Sequence, residues 1–288
     1  MMKLIAIDMD GTLLGGSHEV TEENAQAVKE AQQLGVEVVV ATGRDEKEAR
    51  YPLKEAQITC PVISVNGAQF RDKNETLLST ISISKETSKR VFDLFATHDI
   101  YFELYTNKGT FTDNYGKAIQ AVIDFFISAG SDEDSKSLQA MAKERFDMGI
   151  LSLTESYELL LKQEDTVILK ILAFEKDKQK LNDVREKLQE ISDIAISASA
   201  PDNIEITNIG AQKGIAVQAY ADKLGITMNE VMVIGDSFND VSMFKIAGYK
   251  VAMGNAEKAI KDLADFVTKR NDEDGVAFAI RKQLDENE

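Results

Sequence analysis

Five short apolar runs, each closed by polar or glycine residues, most constrain what this chain can fold into. Leu4-Ile5-Ala6-Ile7 leads into Asp8-Met9-Asp10-Gly11-Thr12, and Val36-Glu37-Val38-Val39-Val40-Ala41 leads into Thr42-Gly43-Arg44. Pro61-Val62-Ile63-Ser64-Val65 runs into Asn66-Gly67, Val231-Met232-Val233-Ile234 into Gly235-Asp236-Ser237-Phe238-Asn239-Asp240, and Tyr249-Lys250-Val251-Ala252-Met253 into Gly254-Asn255. β-Branched runs of this length, bounded by turn residues, read as strands of a largely parallel sheet buried on both faces. The segments between them have helical period. Val20, Ala25, Val28, Ala31 and Leu34 fall three to five apart, with Thr21 as N-cap and Gly35 as stop; Ile215, Ala216, Ala219, Tyr220 and Leu224 repeat the pattern before Gly225. Alternating strands and helices predict an open α/β sheet, whose ligands bind beyond the carboxyl ends of the strands. Asp8, Asp10, Thr42, Asn66 and Asp236 all lie at such ends.

The middle of the chain differs. From about Ser84 to about Ser197 no strand has a comparable polar end. Helical segments are expected around Val91-Phe92-Leu94-Phe95, around Ile119-Val122-Ile123-Phe126 and from Lys176 to Glu190, with strands at Tyr101–Tyr105 and Val167–Leu172. Ser131-Asp132-Glu133-Asp134-Ser135 reads as a solvated turn, since it lacks the glycine and spaced acids of a calcium loop. The fold class expected is therefore α/β. A Rossmann-like, doubly wound parallel-sheet core spans residues 1–83 and 198–288, and an inserted α+β domain spans 84–197. The first sheet is expected to resume near Ile204-Glu205-Ile206.

Composition narrows the function classes. A chain of 288 residues suits two domains, and 43% apolar with 28% charged residues is ordinary for a globular protein. No stretch approaches the ~18 apolar residues of a membrane span, and the N-terminal run is too short for a signal peptide. Cys60 is the single cysteine, which excludes an intramolecular disulfide and a thiolate zinc cluster. His18 and His98 are the two histidines and make a His-based triad a poor reading. The composition fits a reducing cytoplasm. A net charge of −16 argues against non-specific nucleic-acid binding and would repel an anionic substrate. Any phosphate site must therefore rest on local cations: a metal, a lysine, an arginine or helix N-termini.

Asp8 and Asp10 are two carboxylates at the mouth of a buried strand, and no Lys or Arg lies between Lys3 and Lys29 to pair with them. Such anions call for a hard divalent cation or hydrogen-bond donors, with one carboxylate available for chemistry. Lys213 opens a helix, where a cation opposes the macrodipole unless something anionic is near. Thr42-Gly43-Arg44 offers a hydroxyl, a close backbone approach and a guanidinium, a set suited to gripping phosphate. Asp236 and Asp240, four apart across a strand-to-helix turn, supply a further metal ligand and an acid able to hold a lysine. No dinucleotide, P-loop or serine-hydrolase signature occurs; Gly210-Ala211-Gln212-Lys213-Gly214 has the wrong spacing for a P-loop.

Together these residues resemble the haloacid dehalogenase superfamily of phosphohydrolases. Its four motifs stand in order as Asp8-Met9-Asp10-Gly11-Thr12, Thr42, Lys213 and Gly235-Asp236-Ser237-Phe238-Asn239-Asp240. The long insertion between the second and third motifs resembles the type-two cap of Cof-like sugar phosphatases, as does Asn66-Gly67-Ala68. The resemblance implies Asp8 as nucleophile, Asp10 as general acid/base, and Mg²⁺ held by Asp8, the Asp10 carbonyl and Asp236. Thr42, backbone amides near it and Lys213 would bind the phosphoryl oxygens, and Asp240 would orient Lys213. Gly43, Arg44, Asn66 and Asn239 are further candidates for phosphate or substrate contact. Thr106-Asn107-Lys108-Gly109-Thr110 is a candidate substrate loop in the cap, or equally a surface hairpin. The implied activity is Mg²⁺-dependent hydrolysis of small phosphorylated metabolites, sugar phosphates foremost. A phosphomutase would share the core, and a phospho-aspartate signalling module would share the acids, hydroxyl and lysine at parallel-strand ends; a receiver should hold its phosphate, whereas Asp10 beside the nucleophile predicts fast hydrolysis.

Overall fold

The computed structural model describes residues 2–128 and 134–285. The chain begins β1 (Leu4–Ile7), α1 (Glu22–Gln33), β2 (Glu37–Ala41), α2 (Glu46–Glu55), β3 (Val62–Ser64), β4 (Gln69–Arg71) and β5 (Leu77–Thr80). It continues through α3 (Lys85–Thr97), β6 (Tyr101–Thr106), β7 (Gly109–Thr112), α4 (Tyr115–Ser128), α5 (Ser135–Asp147), β8 (Leu151–Leu153) and α6 (Tyr157–Lys162). Next come β9 (Ile168–Phe174), α7 (Lys178–Leu188), β10 (Ile194–Ser197) and β11 (Asn203–Asn208). The last part holds α8 (Lys213–Leu224), β12 (Val231–Gly235), α9 (Val241–Phe244), β13 (Tyr249–Ala252), α10 (Lys258–Lys261), β14 (Phe266–Val267) and α11 (Gly275–Asp285). Two compact units result, Met1–Ile81 with Ala211–Glu288, and Ser82–Gly210.

The first unit is built on an eight-stranded sheet of order β14-β13-β12-β1-β2-β3-β4-β5. The strands from β14 to β3 are parallel, and β4 and β5 add an antiparallel margin. Because β1 lies between β12 and β2, all four of its side chains are buried, as its unbroken apolar run demands. Each such Ile or Leu contributes about 1.5–3 kcal/mol by leaving water. The expected caps also form: Thr21 accepts the Asn24 N–H at 3.2 Å at the start of α1, and Gly35 takes φ +83° beyond its end. The parallel pairing leaves Asp8, Thr42 and Asp236 at the carboxyl ends of β1, β2 and β12.

The second unit carries a six-stranded sheet, β10-β11-β9-β6-β7-β8, antiparallel except for β7 with β8. Ile171, Ile204 and Ile206 cluster with Val91 and Phe95 of α3 and Val184 of α7. Lys170 and Glu205, also buried, pair at 3.2 Å. This corrects the expected boundary. Ile204-Glu205-Ile206 lies in β11, which pairs with β9 and β10 of the second sheet, so the first unit resumes at Ala211 and not at residue 198. The reason is visible in its side chains. Ile204 and Ile206 face the apolar core while Glu205 meets Lys170, the alternation of an antiparallel strand with two unlike faces. Ile83 likewise bridges to Ile168, which puts the first boundary at Ile81. Thr106–Thr110 forms a tight hairpin joining β6 to β7. Of the turn expected at 131–135, Ser131, Asp132 and Glu133 lie outside the described residues; Asp134 caps α5 by accepting the Lys136 and Ser137 N–H groups.

Candidate active site

Asp8 is the first residue past β1, and its N–H continues the sheet by donating to the Ile234 carbonyl at 3.0 Å. The chain then turns sharply through Met9–Leu13. Gly11 takes φ +73°, and a Cβ there would stand 2.5 Å from Asp236 Oδ2. Only glycine lets the turn close against that carboxylate. Thr12 fixes the other oxygen, donating its hydroxyl to Asp236 Oδ1 at 2.8 Å.

Lys213, the first residue of α8, is fully buried and donates to Asp8 Oδ1 at 2.5 Å and Asp240 Oδ1 at 2.7 Å. The anion expected near this lysine is thus two carboxylates. They also answer the question posed by the cation-free stretch from Lys3 to Lys29, since the partner of Asp8 comes from the far part of the chain. Asp240 Oδ2 accepts the N–H groups of Asp236 and Ser237 at 3.0 and 3.1 Å, so one carboxylate holds both the lysine and the loop carrying Asp236. The approach of α8 depends on the turn after β3. Val65, Asn66 and Gly67 have φ of +51°, +56° and +98°, and a Cβ on Gly67 would lie 2.7 Å from the Gln212 carbonyl oxygen. A β-branched valine in the left-handed region is strained, and such strain gathers where a site must be shaped.

The charges are out of balance. Burial, then the nearby Asp240, pushes the Asp8 carboxyl well above its ordinary 3.8, against the pull of Lys213. Burial and Asp240 likewise raise Asp236 to about 7, partly offset by the Thr12 hydrogen bond. Burial works against the Lys213 ammonium, but Asp240 and Asp8 outweigh it and hold its pKa above the ordinary value. Carboxylate oxygens of Asp8, Asp236 and Asp240 all lie within 4.8 Å of one another. Three acids against one ammonium, all hard oxygen donors, fit a divalent cation such as Mg²⁺. Asp240 has both oxygens engaged by Lys213 and the loop amides, which leaves Asp8 and Asp236 as the better side-chain ligands.

The other candidates fall around this cluster in different ways. Asp10 is half-exposed, and Arg44 grips it with both arms, Nε to Oδ2 at 2.8 Å and Nη2 to Oδ1 at 2.6 Å. The expected phosphate grip of Arg44 is here spent on Asp10. Thr42 is buried and its Oγ1 accepts the Arg44 N–H at 3.1 Å, tying Thr42, Gly43 and Arg44 into one turn. Asn239 is buried and donates to Asn66 Oδ1 at 3.3 Å, while its own Oδ1 finds no hydrogen-bond partner among the described residues. Two contributors escaped sequence reasoning. Thr12 stood inside the quoted motif without a role, and Asn255 followed a recognised strand. Their side chains reach Asp236 and the Gly11 carbonyl respectively.

The family described as haloacid dehalogenase-like hydrolase matches residues 5–280. The chain belongs to this family. The haloacid dehalogenase-like chain is similar to the phosphatase YwpJ of Bacillus subtilis (strain 168), at 35% identity over 98% of its length and all of the relative's. It is also 35% identical to the 5-amino-6-(5-phospho-D-ribitylamino)uracil phosphatase YwtE of the same organism, over 98% of each chain. A solved haloacid dehalogenase-like hydrolase from B. subtilis superposes with a TM-score of 0.89, at 35% identity, over 97% of this chain and 99% of that one. The expectations of a Cof-like member and of a phosphatase-type enzyme agree with these relatives. Among the described residues, no helix of this haloacid dehalogenase-like chain is long and apolar enough to cross a membrane.

Proposed function

We propose that the protein is a Mg²⁺-dependent phosphatase of small phosphorylated metabolites, sugar phosphates foremost, acting in the cytoplasm through an aspartyl-phosphate on Asp8. The observation that carries this reading is the contact of Lys213 with both Asp8 and Asp240, beside Asp236. A buried carboxylate fixed at one oxygen by an ammonium is an oriented nucleophile. A second cation source is needed for phosphate to enter a site otherwise rich in acids.

In this mechanism an oxygen of Asp8 bonds to phosphorus as the bond to the ester oxygen breaks, and protonated Asp10 gives its proton to the departing alcohol. In the second half, Asp10 takes a proton from water as that water attacks phosphorus and the Asp8 carboxylate is released. Arg44 holds both Asp10 oxygens, so Asp10 must exchange this pair for the ester oxygen and then the water. Lys213, the Thr42 hydroxyl and backbone amides near Thr42 stabilise charge on the phosphoryl oxygens. Asp240 keeps Lys213 aimed. Asn66 and Asn239 offer amide groups for phosphate or substrate. When bound through Asp8, Asp236 and the Asp10 carbonyl, Mg²⁺ supplies Lewis-acid screening of the phosphoryl charge. We assign the Ser82–Gly210 unit, inserted between the second and third motifs, to selection of the leaving group as a cap.

The test is hydrolysis of a generic aryl phosphate, with Mg²⁺ and with excess EDTA, by the native protein and Asp8→Asn. Activity is expected with Mg²⁺ alone and is lost in the variant; full activity of Asp8→Asn, or of the native protein in EDTA, sinks the reading. A panel of phosphorylated sugars and sugar alcohols, with phosphate and isomerised sugar both measured, then separates hydrolysis from mutase action. The ester in the name of YwtE, a phosphorylated ribitylamino compound, belongs on that panel.

A further inference from the structure

The turn that follows the proposed nucleophile has three of its carbonyls held by asparagine side chains from distant parts of the chain. Asn255 Nδ2 donates to the Gly11 carbonyl at 2.8 Å, Asn24 Nδ2 to that of Leu13 at 3.2 Å, and Asn271 Nδ2 to that of Leu14 at 2.9 Å. Two of these amides are fixed at their other end as well. Asn255 Oδ1 accepts the Asn271 N–H at 2.9 Å, and Asn24 Oδ1 accepts the Ala277 N–H at 2.9 Å. A planar group that gives to a carbonyl and takes from an N–H has its orientation dictated by its partners. No other short side chain offers both functions on one rigid plane.

The three bonds are not equivalent. Those from Asn24 and Asn271 grip Leu13 and Leu14, beyond Thr12, and anchor the turn to the body of the unit. The bond from Asn255 grips Gly11, the residue with the freest backbone in the turn, where a Cβ would stand 2.5 Å from Asp236 Oδ2. The Gly11 nitrogen is bonded to the Asp10 carbonyl carbon, and the Gly11 carbonyl shares its peptide plane with the Thr12 N–H. Without a partner for that carbonyl, glycine could rotate and take with it the Asp10 carbonyl on one side and the Thr12 hydroxyl on Asp236 on the other. We infer that Asn255 is a positioning residue for the metal site, acting through the Gly11 peptide on the Asp10 carbonyl and Asp236. The inference rests on the phosphatase reading above.

The test compares Asn255→Ala with Asn271→Ala, which removes a similar bond three residues further along the turn. Mg²⁺ affinity is measured by calorimetry, and kcat and KM with an aryl phosphate at saturating Mg²⁺. Asn255→Ala is expected to weaken Mg²⁺ binding on the order of tenfold and to lower kcat by a similar factor, a loss of one amide hydrogen bond, with KM within about twofold. Asn271→Ala is expected to lower the melting temperature while Mg²⁺ affinity and kcat stay within about twofold. Native Mg²⁺ affinity and kcat in Asn255→Ala overturn the inference, and so do equal losses in both variants. If the alanine variant does not fold, Asn255→Ser is used, whose shorter hydroxyl spans neither partner and should show the same losses; failure of both to fold makes Asn255 structural and also overturns it. If the native protein itself neither binds Mg²⁺ nor hydrolyses the ester, the phosphatase reading has failed and not this one alone.

Discussion

Replacing Asp236 with Asn should make the metal-free protein more stable at alkaline pH. The carboxyl of Asp236 is raised from an ordinary 3.8 to about 7 by burial and by Asp240. At 1.36 kcal/mol for each tenfold change in proton affinity, the rise from 3.8 to about 7 corresponds to roughly 4 kcal/mol. That figure is a ceiling, because the side chain keeps partial contact with solvent; about 2 kcal/mol is the working expectation. The sign follows from proton counting. Between about pH 4 and about pH 7 the unfolded chain has released this proton while the folded protein still holds it. The stability contributed is therefore present below the unfolded value and lost as pH rises through about 7. Asparagine keeps the oxygen that accepts the Thr12 hydroxyl and carries no charge. Urea denaturation in EDTA should thus find native and Asp236→Asn proteins similar near pH 5 and the variant ahead near pH 8. Millimolar Mg²⁺ should reverse that order near pH 8, since it stabilises the native protein by mass action and the variant lacks a ligand. A native stability unchanged between about pH 5 and about pH 8, or a variant that is the weaker protein in EDTA near pH 8, would refute the argument from desolvated charge.

Two further outcomes follow from the same geometry. Lys213→Met removes the ammonium from Asp8 and Asp240 and leaves three acids together, so it should destabilise the protein by about 3–5 kcal/mol near pH 8. The loss should shrink near pH 5, where the raised carboxyls of Asp8 and Asp236 can take up protons, and urea denaturation at the two pH values checks it. Arg44→Ala removes the pair that Asp10 must exchange before it can act, so it should raise activity on an alkyl phosphate severalfold relative to a nitrophenyl phosphate, because only the poor leaving group needs the proton of Asp10. Equal losses on both esters, with a raised KM, would place Arg44 on the phosphate itself.

The strand ends were legible because parallel strands buried on both faces leave continuous apolar runs, and polar residues at the close of such runs have one direction in which to point. β1, β2, β3, β12 and β13 form from the expected runs, and Asp8, Asp236, Asp240 and Lys213 meet as the motif order implies. What stayed hidden is pairwise. Nothing in Thr42-Gly43-Arg44 tells that the guanidinium turns to Asp10 in preference to an incoming phosphate. The β4–β5 margin and the antiparallel β11 are short or alternating, so neither carries the continuous apolar run that marks a parallel strand buried on both faces. The asparagine clamps were out of reach for a different reason. An amide that bridges two backbone groups needs no pattern in its neighbours, so only the fold shows which Asn faces which carbonyl.

The charge count of the cluster sets a condition on any phosphate that enters it. Asp8, Asp236 and Asp240 bring three carboxylates and Lys213 one ammonium, while Arg44 and Asp10 cancel each other. A fully ionised site is thus two charges short of neutral, on a chain whose net charge is already −16. A phosphate dianion would meet repulsion from the site and from the field around it. Burial and the neighbouring Asp240 push the carboxyls of Asp8 and Asp236 up, the direction expected where like charges crowd a dry site. Asp8 must offer a free oxygen to attack, so the excess has to be met by a cation and not by the nucleophile itself. Mg²⁺ held by Asp8 and Asp236 would bring the cluster to neutrality, and the Lys213 ammonium would then be available to the phosphate in place of balancing the acids.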